Sequence, residues 1–353
     1  MPPEISPPTY FLTCLYGLEA ELAAEVAERF GVPTEHHWCE VVFELPGSAA
    51  QVAGLRLAGN VFLRFARFQI GHTKEALGAV AEQVRRIPLD AWLRAWAELN
   101  GGEPASEDVA VSVSRQGGHN FTYADVQEAA MAALEAQSGR RATLDERPLE
   151  LRVDVDGEWC RLLGRLSQTP LSKRAYKVRR IPAETDATIA AAMVRKSGPA
   201  RGDRVLDPFC GSGTIPIERA LALPAASIAA GDCKEKIVGW AAANAQAAGV
   251  DISFSVWDAL KLPFPDRAFT RVITTPPFSN PQGGRAWPPL EFGRLLAELL
   301  RVLEFGCPLV VLVNDEKLTN VALKRVGHVR ITSGLRLDWK GRRHTIFTIE
   351  KTP

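Results

Sequence analysis

The chain has 353 residues, 46% of them apolar, with a formal net charge of +1, so two or three domains are expected and a surface uniformly coated with cations is excluded. No run approaches the roughly 18 uncharged apolar residues of a membrane span, and the opening "MPPEISPPTY" has neither the basic nor the apolar segment of an export signal. Six scattered cysteines (Cys14, Cys39, Cys160, Cys210, Cys233, Cys307) contain no C-x-x-C pair, which fits reduced thiols in a soluble, cytoplasmic protein without a structural metal.

In chain order, "YFLTCLY" reads as a strand, "LEAELAAEVAERF" as a helix with apolar residues three and four apart, stopped by Gly31, and "WCEVVFELP" as a strand. Helices follow at "HTKEALGAVAEQV" and "LDAWLRAWAEL", and "GGEPASED" is a polar break. "VAVSVSRQ" and "LELRVDVDG" alternate like half-buried strands around the helix "ADVQEAAMAALEAQSG", and "EWCRLLGRL" is a further strand. Between Arg161 and Arg180 come seven basic residues and no acidic one. From Glu184 onward an apolar helix, "ETDATIAAAMVRKSG", precedes short apolar strands alternating with helices. That alternation predicts a doubly wound, mostly parallel sheet. The final "ITSGLRLDWKGRRHTIFTIEK" predicts a hairpin turning at Lys340-Gly341. A second basic cluster, Lys324 to Arg343, holds seven Lys/Arg against the single acid Asp338. Either cluster taken alone reads equally well as a solvated face.

"VLDPFCGSGT" places Asp207 at a strand end, a Gly-x-Gly turn (Gly211, Gly213) and then a helix. Glycines permit the tight turn and let a ligand approach the backbone. Position 216 is Pro, so the dinucleotide fingerprint is absent, and no Gly-Lys-Ser/Thr follows to make a P-loop. The pattern matches an S-adenosylmethionine turn, with Asp207, Phe209, Cys210, Gly211, Ser212, Gly213 and Thr214 as candidate cofactor residues. Asp232, followed by Cys233, ends the next strand, where a carboxylate can accept from both ribose hydroxyls. Asp258 ends the third, where a carboxylate can accept from the adenine amine while the Ala259 amide donates to the ring. Each acid alone reads as a helix cap or loop residue; three at successive strand ends point together to this cofactor.

The fourth strand runs into Thr275-Pro276-Pro277-Phe278. Enzymes that methylate an exocyclic base nitrogen carry Asn or Asp, then Pro-Pro and an aromatic. The amino nitrogen is a poor nucleophile, and its two hydrogens can be accepted by the first side chain and by the first proline's carbonyl. The aromatic stacks on a flipped or single-stranded base, and catalysis is mainly positioning. Thr275 departs from the pattern: a hydroxyl can accept only if its own proton is directed elsewhere. Asn280 is a candidate substitute acceptor.

On these residues, with "VSVSRQGGHNFTYADVQEA" and "LSQTPLSKRAYKVRR", the chain resembles the THUMP-containing tRNA guanosine-2-N-methyltransferases of the TrmN type over nearly its whole length. The resemblance implies a ferredoxin-like domain (1–70), a THUMP domain (71–178), a linker helix (179–196) and a Rossmann-like class I methyltransferase domain (197–353). It also implies 2-methylguanosine formation at position 6 of the tRNA acceptor stem, with the acceptor end held by the THUMP domain. Arg115, His119, Lys173, Arg174, Tyr176, Lys177, Arg179 and Arg180 are then expected to face RNA. A monomer is expected, because no apolar helix face stands out as a dimer seam. Two other readings stay open: methylation of another tRNA guanosine or of an adenine amine in ribosomal RNA or DNA, and a tRNA-binding factor impaired in catalysis by Thr275.

Overall fold

The protein is described by a computed structural model covering residues 7–182, 184–278 and 287–353. It divides into two compact units: Glu19–Leu171 with the chain up to Cys14, and Ser172–Pro353 with Leu15–Leu18.

The first unit is one eight-stranded sheet with four helices. In chain order these are β1 (Thr9–Thr13), α1 (Glu19–Phe30), β2 (Thr34–His37), β3 (Glu40–Glu44), β4 (Val61–Gln69), α2 (Ala76–Arg85), α3 (Leu89–Asn100), β5 (Val109–Gln116), α4 (Tyr123–Ser138), β6 (Ala142–Thr143), β7 (Leu149–Asp156) and β8 (Trp159–Arg165). The strand order is β2-β3-β1-β4-β8-β7-β5-β6. α1 buries Leu22, Ala23 and Val26, the face its spacing predicts. α4 opens on a capping box between Thr122 and Asp125 and closes on left-handed Gly139, which satisfies backbone groups a helix end leaves open. α3 inserts Trp92 and Trp96 one turn apart, and their indole N–H groups donate to the carbonyls of Arg165 and Pro148 at 3.0 and 3.2 Å.

The expected boundary at 70/71 falls just after β4. β4 ends at Gln69 and pairs with β8, so the segments on either side of residue 70 share one sheet and one compact unit. Likewise the second unit starts at Ser172 rather than near 179, because Arg174 and Tyr176 are rooted in it.

The second unit contains α5 (Ala187–Lys196), β9 (Arg204–Asp207), α6 (Thr214–Ala222), β10 (Ser227–Asp232), α7 (Glu235–Ala248), β11 (Ser253–Val256), β12 (Arg271–Thr274), α8 (Pro289–Val302), β13 (Pro308–Val313), α9 (Glu316–Val326), β14 (Val329–Trp339) and β15 (Arg342–Lys351). Its sheet runs β11-β10-β9-β12-β13-β15-β14. The first five strands are parallel, and β15 enters antiparallel between β13 and β14. This is the predicted Rossmann-like sheet with its terminal hairpin. The strand order reverses between β9 and β12, and such a switch point opens a crevice at the carboxyl ends of the strands. The parallel strands β9, β12 and β13 read as continuous apolar runs because both their faces are covered.

Beneath this sheet the Arg219 side chain of α6 is fully buried and pairs with Asp203 at 2.8 Å. Removing one partner of a buried pair leaves an uncompensated charge. Asp203→Ala is therefore expected to lower unfolding free energy by roughly 3–5 kcal/mol, read by urea denaturation followed through tryptophan fluorescence.

Candidate active site

The carboxyl ends of the parallel strands meet at a cavity of about 1050 Å³. Its wall includes the turn after β9, Asp232 at the end of β10, Asp258 in the loop after β11 and Thr275 to Phe278 after β12. The structure thus brings Asp232, Asp258 and the Pro-Pro loop to one pocket. Gly213 caps α6 at φ 86°, and a Cβ there would lie 3.2 Å from that of Ala241. Gly231, just before Asp232, is excluded from carrying a side chain more severely: its Cβ would fall 2.3 Å from the Ser255 carbonyl.

Asp207 does not line the cavity wall; it is buried directly behind the turn. Its Oδ1 accepts from the Thr274 hydroxyl at 2.6 Å and from the Phe209 amide at 3.2 Å. Its Oδ2 has no hydrogen-bond partner among the described residues, and neither has the buried hydroxyl of Thr214. Burial outweighs the two donors and pushes the carboxyl up to about 7. An orphaned carboxylate oxygen fits a cationic amine. Asp232 and Asp258 each use one oxygen to hold their own loop, accepting from the amides of Lys234 and Leu260 at 3.1 and 2.9 Å. Both residues line the cavity, where a carboxylate can accept from a ribose or an adenine amine. Phe209, Cys210, Gly211, Ser212, Thr214, Cys233 and Ala259 also line the pocket. Gly213 supports it from behind. Burial and the nearby Asp207 carboxylate keep the Cys210 thiol protonated. Among the described residues no three His, Cys, Asp or Glu side chains gather as a metal site, and no helix is long and apolar enough to cross a membrane.

In the catalytic loop, the Thr275 hydroxyl donates to the sulfur of Met193 on α5 at 3.8 Å, leaving its lone pairs to accept. The Trp287 indole donates to the Pro277 carbonyl at 2.6 Å, and this fixes the loop's second peptide. Phe278 packs against His344 at 4.8 Å and Trp339 at 6.3 Å between ring centroids. His344 donates through Nδ1 to the Arg342 carbonyl, and burial lowers its pKa. Asn280 lies outside the described residues.

The expected RNA-facing residues divide. Arg174 and Tyr176 point inward: the guanidinium lies 2.9 Å from Glu218 of α6, and the phenol donates to the same oxygen at 2.7 Å. Lys177 is also buried, 3.1 Å from Glu184. In this structure Arg174, Tyr176 and Lys177, expected to face RNA, are turned to carboxylates of their own unit. A buried cation is held in place by its carboxylate and cannot present itself to a phosphate. Lys173, Arg179 and Arg180 are exposed, with Arg180 3.9 Å from Glu184. In the first unit Arg115 donates to the Gly117 carbonyl and to His119 Nδ1, both at 3.1 Å, and His119 Nε2 donates to the Gly157 carbonyl at 2.8 Å. His72 stacks on His119 at 5.1 Å, and Arg67 lies 4.0 Å over Trp159. That half-exposed basic-aromatic cluster includes three residues, His72, Arg67 and Trp159, that no motif marks.

Other site residues also lie outside the motifs. Asn244, fully buried in α7, accepts from the Arg179 amide and donates to the carbonyls of Arg179 and Ser212, each at 2.8 Å. Glu184 accepts the Ser212 hydroxyl, and Ile181 and Pro182 line the cofactor cavity. An Asn in a helix interior is a poor helix former, and that was the available signal.

A parallel sheet that reverses order over such a pocket, ends in this hairpin and carries these acids defines a class I methyltransferase domain. The family model described as "RMKL-like, methyltransferase domain" matches residues 174–326, within the second unit. A tRNA (guanine(6)-N2)-methyltransferase of Thermus thermophilus is 35% identical over 64% of this chain and 64% of its own length. One of Methanocaldococcus jannaschii is 33% identical over 41% of this chain and 38% of its own. The chain thus matches less than two thirds of each of these relatives. The crystal structure of TrmN from Thermus thermophilus superposes with a TM-score of 0.81 at 28% identity, covering 98% of this chain and 99% of that one. S-adenosylmethionine is the cofactor of this domain class, and the residues present fit it.

The Asp207 carboxyl, at about 7, is protonated at pH 6 and ionised at pH 8, and a bound cation favours the ionised form. Calorimetry should show S-adenosylmethionine affinity falling as pH drops below 7, by up to about tenfold per unit. Asp207→Asn should bind more weakly and flatten that profile. In the cofactor-free protein the raised pKa makes stability decline from about pH 4 to pH 7, a slope that Asp207→Asn should remove. Arg174→Ala should strand Glu218 and lower the melting temperature while leaving RNA affinity nearly intact, as read by thermal unfolding beside a binding titration.

Proposed function

We propose that the protein is a tRNA (guanine-2-N)-methyltransferase acting in the acceptor stem, at position 6. The observation that supports this most directly is the placement of Asp232, Asp258 and the Thr275-Pro276-Pro277-Phe278 loop on one cavity wall, with Asp207 buried behind the turn. The relatives named above carry that activity, and the acceptor-end preference rests on the likeness of the first unit to a THUMP module. Asp207, Asp232 and Asp258 hold the cofactor, which supplies the methyl group as an electrophilic sulfonium. Thr275 accepts one hydrogen of the guanine 2-amino group, because its own proton is engaged by Met193. The Pro276 carbonyl accepts the other. Phe278, backed by His344 and Trp339, offers a ring face to a base flipped out of the stem. Drawing both hydrogens away pyramidalises the nitrogen and aims its lone pair. Exposed Lys173, Arg179 and Arg180, with the Arg115–His119 cluster, contact the tRNA backbone. The protein works as a monomer in the cytoplasm.

Incubation with labelled S-adenosylmethionine and unmodified tRNA, followed by nucleoside analysis, should yield 2-methylguanosine. Thr275→Val keeps the shape and removes the acceptor, and should lower kcat by roughly 10²–10³, as loss of one positioned hydrogen-bonding group does. Thr275→Asn should retain activity. Intact tRNA and cofactor binding with no product from wild type or Thr275→Asn would instead make the protein a binding factor.

A further inference from the structure

The β14–β15 hairpin turns at Lys340 (φ 51°) and Gly341 (φ 70°). Two-residue turns with both φ values positive favour Asn-Gly or Gly-Gly, and a lysine in the left-handed region is strained. Strain of this kind clusters at functional sites. Here it lays the Lys340 ammonium 4.6 Å over the Trp339 ring, so a normally mobile cation is held at the tip. Arg342 and Arg343 follow on the same exposed tip.

The other arginines of this hairpin are neutralised. Arg330 lies 2.6 Å from Glu350, and Arg336 binds both oxygens of Glu316 at 2.7 and 2.9 Å. Arg343 makes a loose 3.9 Å approach to the exposed Asp338. Lys340 and Arg342 have no acidic partner among the described residues. The charged tip is also joined to the catalytic loop: Trp339 and His344 pack on each other at 5.3 Å and both pack on Phe278. Three available cations therefore stand at a fixed offset from the ring on which the base is proposed to stack.

We infer that Lys340, Arg342 and Arg343 bind backbone phosphates of the RNA strand that presents the target nucleotide to Phe278. The inference rests on the RNA-methyltransferase reading above. It assigns the hairpin tip a role of its own, apart from the grip proposed for the first unit: local contacts that hold the strand beside a base that has left its stack. Each phosphate neutralised releases counterions, so the contacts should appear in the salt dependence of binding.

The test is anisotropy titration of an unmodified tRNA transcript across a KCl series, with steady-state methylation alongside. For Lys340→Ala/Arg342→Ala/Arg343→Ala the slope of log Kd against log salt should shrink by about 2–3. KM for tRNA should rise much more than kcat falls, and calorimetric S-adenosylmethionine affinity should be unchanged, which shows that the domain is folded. The control Arg330→Ala/Arg336→Ala removes cations already paired within the protein and should leave the slope as in wild type. An unaltered slope in the triple variant, or an equal change in the control, overturns the inference while wild-type methylation still supports the enzyme. Wild-type protein that neither binds nor methylates tRNA overturns both.

Discussion

The hydrogen bond from Thr274 to Asp207 spans the point where the sheet reverses its order. Both residues are buried, one ending β12 and the other ending β9, and the 2.6 Å contact locks two loops that leave in opposite directions. One loop carries the cofactor glycines. The other begins at Thr275. Transfer of a methyl group to a weakly nucleophilic amine depends on the relative placement of donor and acceptor, and this contact sets that placement from inside the core. It leaves the second carboxylate oxygen unpaired, so the same residue that joins the loops retains a charge to offer a cation.

A second set of buried polar contacts holds the basic segment to this core. Glu218 takes Arg174 and Tyr176, Glu184 takes Lys177 and Ser212, and Asn244 takes both main-chain groups of Arg179 together with the Ser212 carbonyl. Fully satisfied networks of this kind specify a single arrangement. The consequence is that Ile181 and Pro182 are delivered to the cofactor cavity by residues that in sequence look like an RNA-binding run. Between Arg161 and Arg180, the charges of Arg161, Arg165, Arg174 and Lys177 are spent on architecture.

In the proposed reaction Thr275 stands where the motif usually carries Asn or Asp. Asn or Asp accepts with an sp² oxygen that has no proton to dispose of. A hydroxyl must first donate, and Met193 on the buried helix α5 takes that proton. A thioether is a weak acceptor, but it suffices to orient the hydroxyl in a site where the alternative is no partner at all.

The α/β alternation, the terminal hairpin, the three acids and the Pro-Pro loop were legible in the sequence because each is local: periodicity, a turn residue, or an acid at a strand end. β2, with the polar residues TEHH, carried no periodic signal because an edge strand exposed on both faces needs none. The continuity of the first sheet through β4 was hidden because pairing with β8 joins residues about a hundred positions apart. Composition could mark 161–180 as basic but not decide which cations face outward. That depended on Glu218, Glu184, Glu40 and Glu150, all outside the run, arriving beside Arg174, Lys177, Arg161 and Arg165. The sequence by itself determined the elements and the chemistry at their ends. Only the tertiary structure decided which charges remained available, because a charge is neutralised by whatever the fold places within a few ångströms of it.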